Sequence, residues 1–340
     1  MIAPADVLLD VRNLKRYFPI RGGLLQRQVA TVQAVDDVSF FVRQGETLGI
    51  VGESGCGKST TARLLIQLLK PDSGAITFNG QAVGTSGGMP VRELRRHMQM
   101  VFQDSYSSLN PRCTIEDTIA YGPSVHGIPR DAARQRARDI LGKVGLDPTL
   151  FLQRYPHELS GGQRQRINIA RALALEPKLI VLDEPVSALD KSVEAQVLNL
   201  LVDLKTDLAL TYIFISHDLN VVQYLADRVL VMYLGKVVEI GPVEALYSRP
   251  QHPYTRALLS AMPSMDPDRR IDEPPLTGDP PNPINPPPGC RFHTRCVNAE
   301  ACCARSEPRL HSEARAPEHQ VACHMLIPGS GHSAAPAATA

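Results

Sequence analysis

The sequence predicts an α/β protein in which a parallel sheet is flanked by helices. From residue 161 onward, helix-periodic segments alternate with short apolar strand segments such as LIVLDE and TYIFIS. A glycine-rich loop also joins the strand segment ETLGIVG to a helix. With 340 residues, 43% of them hydrophobic, the chain is long enough to bury a large core.

The first 80 residues contain the strand segments VLLDV, VQAVDDVSFFV, ETLGIVG and GAITFNG, and a loop is expected at residues 21–30. Helical patterns follow at residues 59–69 and between residues 114 and 155. The second pattern predicts an inserted helical subdomain at about residues 104–165. After LIVLDE, the next helix carries apolar residues at helical spacing: Val193, Val197, Leu201, Leu204 and Leu208.

The end of the chain differs in composition from the rest. Ten prolines between Pro263 and Pro288 exclude a continuous helix or a central strand there. Five of the seven cysteines then lie between Cys290 and Cys323. The sequence therefore predicts four parts: a main domain (1–262), an extended connector (263–289), a cysteine-rich module (290–327) and a disordered tail (328–340).

The charge balance excludes some classes of partner. The 36 basic and 35 acidic residues give a net charge of +1, so no overall field favours nucleic acid or anionic lipid. The N-terminus lacks the apolar core of a signal peptide, and no apolar run approaches the roughly 18 residues of a membrane span. We expect a cytoplasmic protein that reaches a membrane only by docking onto other subunits.

The strongest chemical signal is a phosphate-binding loop. The segment GESGCGKS fits the pattern G-x-x-x-x-G-K-[ST], with a strand before it and a helix after it. Glycines let backbone N–H groups face phosphates at the positive end of the helix. Lys58 is expected to reach the β- and γ-phosphates, and the Ser59 hydroxyl is expected to hold Mg²⁺. The predicted nucleotide contacts are Gly52, Glu53, Ser54, Gly55, Cys56, Gly57, Lys58, Ser59 and Thr60.

Two carboxylates suited to nucleotide hydrolysis follow a buried strand. Asp183 and Glu184 end the segment LIVLDE, at the edge where open α/β sheets bind ligands. We expect Asp183 to assist Mg²⁺ and Glu184 to act as the general base for the attacking water.

A second helix start is also suited to an anion. Ser160 stands at a capping position before Gly161, Gly162 and Gln163, and the glycines allow close backbone approach. Because one nucleotide does not need two cradles in one subunit, we expect this cradle to contact the γ-phosphate of a nucleotide held by another subunit.

Together, GESGCGKST, LSGGQRQR and LIVLDEP resemble the ATP-binding cassette (ABC) family, over about residues 5–260. The resemblance implies ATP as substrate. It also implies an ABC-type nucleotide-binding domain with a RecA-like sheet core, an antiparallel β subdomain and the inserted helical subdomain.

Single residues take roles through the same resemblance. Gln103 is similar to the loop glutamine that senses Mg²⁺ and couples to membrane subunits, and His217 is similar to the switch histidine at the γ-phosphate. Tyr17 resembles the aromatic residue that stacks on adenine, although Phe18 is the open alternative. The loop resembling the dimer-contact loop consists of Ser187, Ala188, Leu189 and Asp190.

Finer motifs, including FQDSYSSLNPR, EPVSALD and INPPPGC, resemble the oligopeptide/dipeptide importer group and its second, F-type ATPase. Ser105 and Lys191 depart from that pattern outside the catalytic roles. The resemblance implies a heterodimer with a paralogous ATPase on two transmembrane permease subunits, served by an extracytoplasmic substrate-binding protein, with no nucleic acid. The chain would then be peripheral on the cytoplasmic face of the inner membrane. Dipeptide, oligopeptide, glutathione and nickel-chelate cargo are not separated.

The cysteines Cys290, Cys296, Cys303 and Cys323 have five, six and nineteen residues between them. A reducing cytosol disfavours disulfides, and the spacing alone selects neither zinc nor an iron–sulfur cluster. The resemblance implies a [4Fe-4S] cluster, with zinc and metal-free thiols as alternatives, and it makes Cys302 a bystander.

Two other classes of this superfamily are disfavoured. DNA-repair and chromosome-organising ATPases place a long coiled coil between the two phosphate-contacting motifs, but only about 100 residues without sustained heptads separate Lys58 from Ser160. Translation factors carry two cassettes in one chain, and this chain has one.

Overall fold

The computed structural model describes residues 6–23, 26–262, 278–279, 281–312 and 315–337. Within them the chain forms a four-stranded sheet and an eight-stranded sheet, with most of the helices packed around the larger one. Among these residues no helix combines the length and the apolar character needed to cross a bilayer.

The strands are β1 (Val7–Gly22), β2 (Arg27–Arg43), β3 (Thr47–Val51), β4 (Ser73–Phe78), β5 (Gln81–Ala82), β6 (Met98–Val101), β7 (Leu179–Asp183), β8 (Thr211–Ile215), β9 (Arg228–Tyr233), β10 (Lys236–Pro242), β11 (His311–Ser312) and β12 (Gln320–Val321). The helices are α1 (Lys58–Leu65), α2 (Val91–His97), α3 (Ile115–Val125), α4 (Arg130–Lys143), α5 (Pro148–Phe151), α6 (Gly161–Leu173), α7 (Lys191–Leu208), α8 (Leu219–Leu225), α9 (Val243–Ser248), α10 (Pro253–Ser260) and α11 (Ala301–Arg305).

The smaller sheet is antiparallel, in the order β2-β1-β4-β5. Its strands β1 and β2 form a long hairpin that stays paired as far as Gly22 and Arg27. The loop expected at residues 21–30 is therefore confined to the turn between those two residues, of which 24 and 25 lie outside the described residues. The residues on either side of that turn belong instead to a hairpin, whose backbone hydrogen bonds are made between its own strands.

The larger sheet has the order β11-β12-β10-β9-β3-β8-β7-β6, and the strands from β9 to β6 are parallel. Every residue of β3, β7 and β8 is buried, as expected for parallel strands covered on both faces. The buried parallel strands confirm the α/β part of the predicted ABC-type fold class. The larger sheet as a whole has mixed rather than purely parallel strand directions.

Helices α3, α4 and α5 lie between β6 and β7 in the chain, within the stretch predicted for the inserted subdomain. Their buried apolar residues share one core with α6, α7 and one face of the larger sheet, whereas the opposite face packs against α1 and the smaller sheet. Both cores meet the ends of β3 and β7, so the loops after these two strands are held by packing on either side.

The C-terminal segment, residues 281–312 and 315–337, packs directly on the larger sheet. Strand β12 pairs with β10, where Glu239 lies opposite Val321, so this segment supplies the edge of the sheet rather than a detached module. Most of the predicted connector lies outside the described residues. The disordered tail predicted at residues 328–340 is corrected up to residue 337, because His332 is buried and lies 2.9 Å from the Asn298 carbonyl oxygen.

Candidate functional site

The phosphate loop connects β3 to α1, and its shape requires glycine at two points. Gly52 and Gly57 have φ values of 150° and 107°. A Cβ atom would lie 2.2 Å from the Met232 carbonyl oxygen at the first position and 2.3 Å from the Ala34 carbonyl oxygen at the second. The loop is thus pressed against the backbone of β9 and β2, and only glycine fits there.

The cation of the loop is folded back over it. Lys58 is 5% exposed, and its Nζ donates to the carbonyl oxygens of Gly52 at 2.7 Å and Glu53 at 3.1 Å. Cys56 is buried, and burial raises the pKa of its thiol. The thiol therefore remains protonated and serves as a small core residue.

A hydroxyl and a carboxylate meet where the magnesium ion was predicted. The Ser59 hydroxyl donates to Asp183 Oδ1 at 2.9 Å. Burial raises the pKa of Asp183, while the hydrogen bond from Ser59 opposes that rise. A divalent cation stabilises such a buried carboxylate, and oxygen donors of these two kinds are the ligands that Mg²⁺ takes, so the residues fit the ion.

The predicted base lies at the centre of a small polar cluster. Gln103 Nε2 donates to Glu184 Oε2 at 2.9 Å, and His217 Nδ1 lies 3.4 Å from the same oxygen. Glu184 has a φ of 47°, in the left-handed region that residues other than glycine rarely adopt. Its backbone N–H donates to the Ile215 carbonyl oxygen at 3.0 Å, which fixes this conformation at the end of the sheet.

These groups line one open cavity of about 480 Å³. Its walls combine the phosphate loop with the polar cluster and part of β2: Val32, Ala34, Ser54, Gly55, Gly57, Lys58, Ser59, Thr60, Gln103, Glu184 and His217. The fold thus brings together residues that the sequence separates by more than 150 positions.

The two adenine-stacking candidates, Tyr17 and Phe18, lie on opposite faces of β1. Across the β1–β2 hairpin, Tyr17 pairs with Gln33 and Phe18 pairs with Val32, which lines the cavity. Because neighbouring side chains on a strand point to opposite faces, Phe18 shares the face of Val32 and Tyr17 does not. Instead the Tyr17 hydroxyl donates to Asp36 Oδ1 at 2.6 Å, and burial together with this carboxylate raises the pKa of Tyr17 to about 12.

The second predicted cradle begins helix α6. The Ser160 hydroxyl accepts from the Gln163 N–H, and the Gln163 side chain accepts from the Ser160 N–H. A Cβ atom on Gly162 would lie 2.4 Å from Val193 Cγ1, so this glycine allows α6 to pack on the start of α7. None of residues 160–163 lines the cavity described above.

The predicted dimer-contact loop follows Glu184 directly. Ser187 and Ala188 are exposed, and the Ser187 hydroxyl donates to the Glu184 carbonyl oxygen at 3.1 Å. The loop ends at Asp190, the residue before α7. It therefore links the predicted base to an exposed surface.

The four predicted cysteine ligands line one small cavity in the C-terminal segment: Cys290, Cys296, Cys303 and Cys323. All seven cysteines of the chain are free thiols, and Cys302 does not line the cavity. The side chain of His324 also faces it. His324 Nε2 lies 2.8 Å from the Ser306 carbonyl oxygen, and Nδ1 has no hydrogen-bond partner among the described residues. Within the same part of the chain, no group of three or more His, Cys, Asp or Glu side chains is arranged to hold a metal ion.

Several contacts around the phosphate loop were not predicted. The Arg295 guanidinium donates to both carboxylate oxygens of Glu53, and the Glu53 N–H donates to the Tyr254 hydroxyl. Arg291 binds Asp36, the partner of Tyr17. Tyr254 belongs to the motif HPYTRALL, and Arg291 and Arg295 belong to the motif CRFHTRC. The arginines interleaved with cysteines were the signal in the sequence from which such contacts could have been suspected.

Comparison with known families gives two matches along the chain. The family described as ABC transporter matches residues 35–187, and the family described as oligopeptide/dipeptide transporter, C-terminal region, matches residues 238–303. The chain is 50% identical to the oligopeptide transport ATP-binding protein AppF of Bacillus subtilis, covering 95% of this chain and 98% of AppF. It is 47% identical to the di/tripeptide transport ATP-binding protein DppF of Pseudomonas aeruginosa, covering 94% and 98%.

Solved structures show the same architecture. CbiO1 of Clostridium perfringens, part of the ABC transporter complex CbiONQ, superposes with a TM-score of 0.61 at 29% identity, over 72% of this chain and 92% of its own. The dimeric ATP-binding cassette MJ0796, in a post-hydrolysis state bound to ADP and Pi, superposes with a TM-score of 0.59 at 27% identity, over 69% and 98%.

Proposed function

The chain belongs to the ABC transporter family of ATPases, in the group of oligopeptide and dipeptide transport ATP-binding proteins, and on this premise we propose that it is the ATP-hydrolysing motor subunit of a peptide importer. The observation that carries the proposal is the cavity lined by Lys58, Ser59 and Glu184, behind which the Ser59 hydroxyl donates to Asp183. Relatives that share about half of its sequence are named as peptide transport proteins, which supports peptide as the cargo.

We propose the following division of roles. The phosphate loop, residues 52–60, binds the phosphates through its backbone N–H groups and Lys58. Ser59, Asp183 and Gln103 would hold Mg²⁺, which neutralises charge on the β- and γ-phosphates when bound. Glu184 accepts the proton of the attacking water, and His217 contacts the γ-phosphate.

The complete site is proposed to form between two cassettes. Ser160 and its three following residues start a helix whose N–H groups can face an anion, yet they lie outside this chain's own cavity. A second cassette placed head to tail would bring its own copy of this motif to the nucleotide held here. The dimeric state of MJ0796 supports this arrangement, and we propose a paralogous ATPase as the second cassette.

We propose that the dimer docks peripherally on the cytoplasmic side of two permease subunits, which receive cargo from an extracytoplasmic binding protein. The main domain is proposed as residues 1–262, with the inserted subdomain at about residues 104–165. The exposed loop 187–190 would contact the second cassette, and Gln103 would report Mg-ATP binding to the permeases.

The cysteine-rich part, residues 290–327, is proposed to hold a [4Fe-4S] cluster. Support comes from four thiols around one cavity and from the buried Nδ1 of His324 beside them, which has no hydrogen-bond partner among the residues that the structure describes. Within the described part of the chain, no group of three or more His, Cys, Asp or Glu side chains is arranged to hold a metal ion, so the proposal rests on the shared cavity and on the resemblance to the peptide-importer ATPases.

Substitution of the proposed base tests the catalytic assignment. Glu184→Gln should bind ATP normally but lower kcat by about 10²- to 10⁴-fold, because proton abstraction is lost. Lys58→Ala should instead weaken ATP binding itself. Both are checked by nucleotide binding and phosphate release on the purified protein. Hydrolysis by Glu184→Gln at the wild-type rate would contradict the assignment.

The transport assignment is tested in cells. A strain lacking this chain should lose peptide uptake, and only a version with an intact Glu184 should restore it. The protein should also co-purify with hydrophobic permease subunits. Co-purification with ribosomes or nucleic acid instead would overturn the importer proposal.

A further inference from the structure

The phosphate loop is held from outside by the C-terminal segment. Arg295 Nη1 and Nη2 lie 2.8 and 3.1 Å from the two carboxylate oxygens of Glu53, the second residue of the loop. The side chain of Arg295 is only 6% exposed, and that of Glu53 is 24% exposed. The guanidinium also lies over the ring of Tyr233 at 5.9 Å, and Nη1 is 3.4 Å from the Tyr233 hydroxyl. A planar, two-point contact of this kind fixes direction as well as distance.

A second contact fixes the backbone of the same residue. The Glu53 N–H donates to the Tyr254 hydroxyl at 2.8 Å, and Tyr254 is fully buried. The ring of Phe292 packs against two tyrosines of this site, with centroid distances of 5.3 Å to Tyr233 and 5.4 Å to Tyr254. The side chain and the backbone of Glu53 are thus each tied to groups outside the loop. Since backbone N–H groups bind phosphate only when they are held in place, these contacts bear on nucleotide affinity.

Arg295 does not line the cysteine cavity itself, but its backbone is joined to residues that do. It ends a short 3₁₀ turn, residues 293–295, that lies between Cys290 and Cys296. The His293 N–H donates to the Cys290 carbonyl oxygen at 3.0 Å, and the Cys290 N–H donates to the Cys303 carbonyl oxygen at 2.8 Å. A change in the separation of these cysteines therefore displaces the turn that carries Arg295.

The chemistry argues against a contact that acts only on stability. An ion pair with a partly exposed carboxylate contributes little to the free energy of unfolding unless its geometry is fixed. Here the geometry is fixed, and the carboxylate belongs to the loop that binds phosphate rather than to the core. The contact between Arg295 and Glu53 therefore acts on the position of the phosphate loop.

Resting on the ATPase function proposed above, we propose that Arg295 is a positioning residue for ATP. It holds the phosphate loop through Glu53 and transmits the state of the cysteine cavity to nucleotide affinity. When the cysteine cavity loses one of its thiol ligands, the turn at residues 293–295 is released. The phosphate loop then binds Mg-ATP less tightly.

The first test compares Arg295→Met with Arg305→Met, a control that removes an exposed arginine from the same segment. The dissociation constant of Mg-ATP should rise by about tenfold in Arg295→Met and stay unchanged in Arg305→Met. In a double-mutant cycle, Arg295→Met should add nothing to Glu53→Gln, because both remove the same contact. Wild-type affinity in Arg295→Met, or full additivity in the cycle, overturns the proposal. Failure of the wild-type protein to bind Mg-ATP would instead contradict the proposed function.

The second test addresses transmission from the cavity. Cys303→Ser should raise the dissociation constant of Mg-ATP when Arg295 is present, and it should have no further effect in the Arg295→Met background. Cys302→Ser serves as the matched control, because Cys302 lies outside the cavity. Equal effects of Cys303→Ser in both backgrounds, or no effect in either, overturn the transmission. Far-UV circular dichroism and thermal unfolding of each variant check that the fold is retained.

Discussion

Glu184 owes its position to the backbone as much as to its neighbours. Its φ of 47° is a conformation that costs a residue with a Cβ atom of order 1–3 kcal/mol. The hydrogen bond from its N–H to Ile215 of β8 holds that conformation. The carboxylate is therefore directed at Gln103 and His217. The sequence could predict the residue and its role, but not this conformation, because the turn depends on the neighbouring strand.

Strand alternation places the two aromatic residues of β1 on opposite faces of the hairpin. Tyr17 and Phe18 are equivalent in the sequence, and the loop expected after them obscured the pairing of β1 with β2. In the structure the Tyr17 hydroxyl is committed to Asp36, a residue also bound by Arg291 of the C-terminal segment. Phe18 lies on the side of the cavity, opposite Val32.

Phe18→Ala should therefore weaken ATP binding. Stacking of a base on an aromatic ring contributes about 1–3 kcal/mol, so the dissociation constant should rise roughly 5- to 150-fold. Tyr17→Phe removes only a hydroxyl on the other face and should leave ATP affinity unchanged. Nucleotide titration of both variants checks this expectation, and the reverse ranking of the two would return the adenine contact to Tyr17.

Helix α6 shows how an element can be built for a partner. Its start is capped within the chain by Ser160 and Gln163, and Gly162 lets the helix approach Val193 of α7. These contacts hold the start of the helix within its own chain, but they leave its N-terminus outside the cavity of that chain. The pattern Ser-Gly-Gly-Gln could be recognised in the sequence because a cap and a close approach need contiguous residues.

Substitution at this helix should act on the partner's nucleotide. Ser160→Ala combined with Gly162→Ala should abolish ATP hydrolysis at the site whose phosphate loop belongs to the other cassette, while the dissociation constant of ATP at Lys58 of this chain stays nearly unchanged. Radiolabelled nucleotide binding to this chain alone, followed by hydrolysis in the assembled dimer, separates the two effects. A loss of this chain's own ATP affinity as large as that of Lys58→Ala would argue against a shared site.

At the scale of the whole molecule, local chemistry was predictable and long-range contacts were not. The phosphate loop and the Asp183–Glu184 pair each occupy one short stretch, and the alternation of strands and helices predicts a parallel sheet. The contact between Glu53 and Arg295 joins residues 242 positions apart, and no local pattern encodes it. Likewise, the cysteines predicted a separate module, whereas pairing of β12 with β10 attaches them to the sheet.

A second set of contacts, centred on Glu239 of β10, attaches the C-terminal segment to the larger sheet. Glu239 of β10 is fully buried, and its carboxylate accepts from the Gln251 and His252 N–H groups and lies 2.7 Å from His319 Nε2. Burial opposes the ionisation of Glu239, but the hydrogen bonds from His319, Thr255 and these backbone N–H groups outweigh it, so the pKa of Glu239 is lowered. This one carboxylate therefore joins the sheet, the start of α10 and the C-terminal segment that carries the cysteines.

The adjacent residues Cys302 and Cys303 separate the proposed cluster from its alternatives. Cys303 is buried and lines the cavity with the other three thiols, whereas Cys302 lies outside it, with its Sγ 4.0 Å from that of Cys303. Four thiolates complete a [4Fe-4S] cluster, so anaerobically purified protein should contain about four iron and four sulfide per chain. Cys303→Ser should lose most of this iron, and Cys302→Ser should retain it, as measured by metal and sulfide analysis. Stoichiometric zinc without sulfide would show that the same thiols bind zinc instead of a cluster. Loss of iron from Cys302→Ser alone would show that Cys302, and not Cys303, is the ligand.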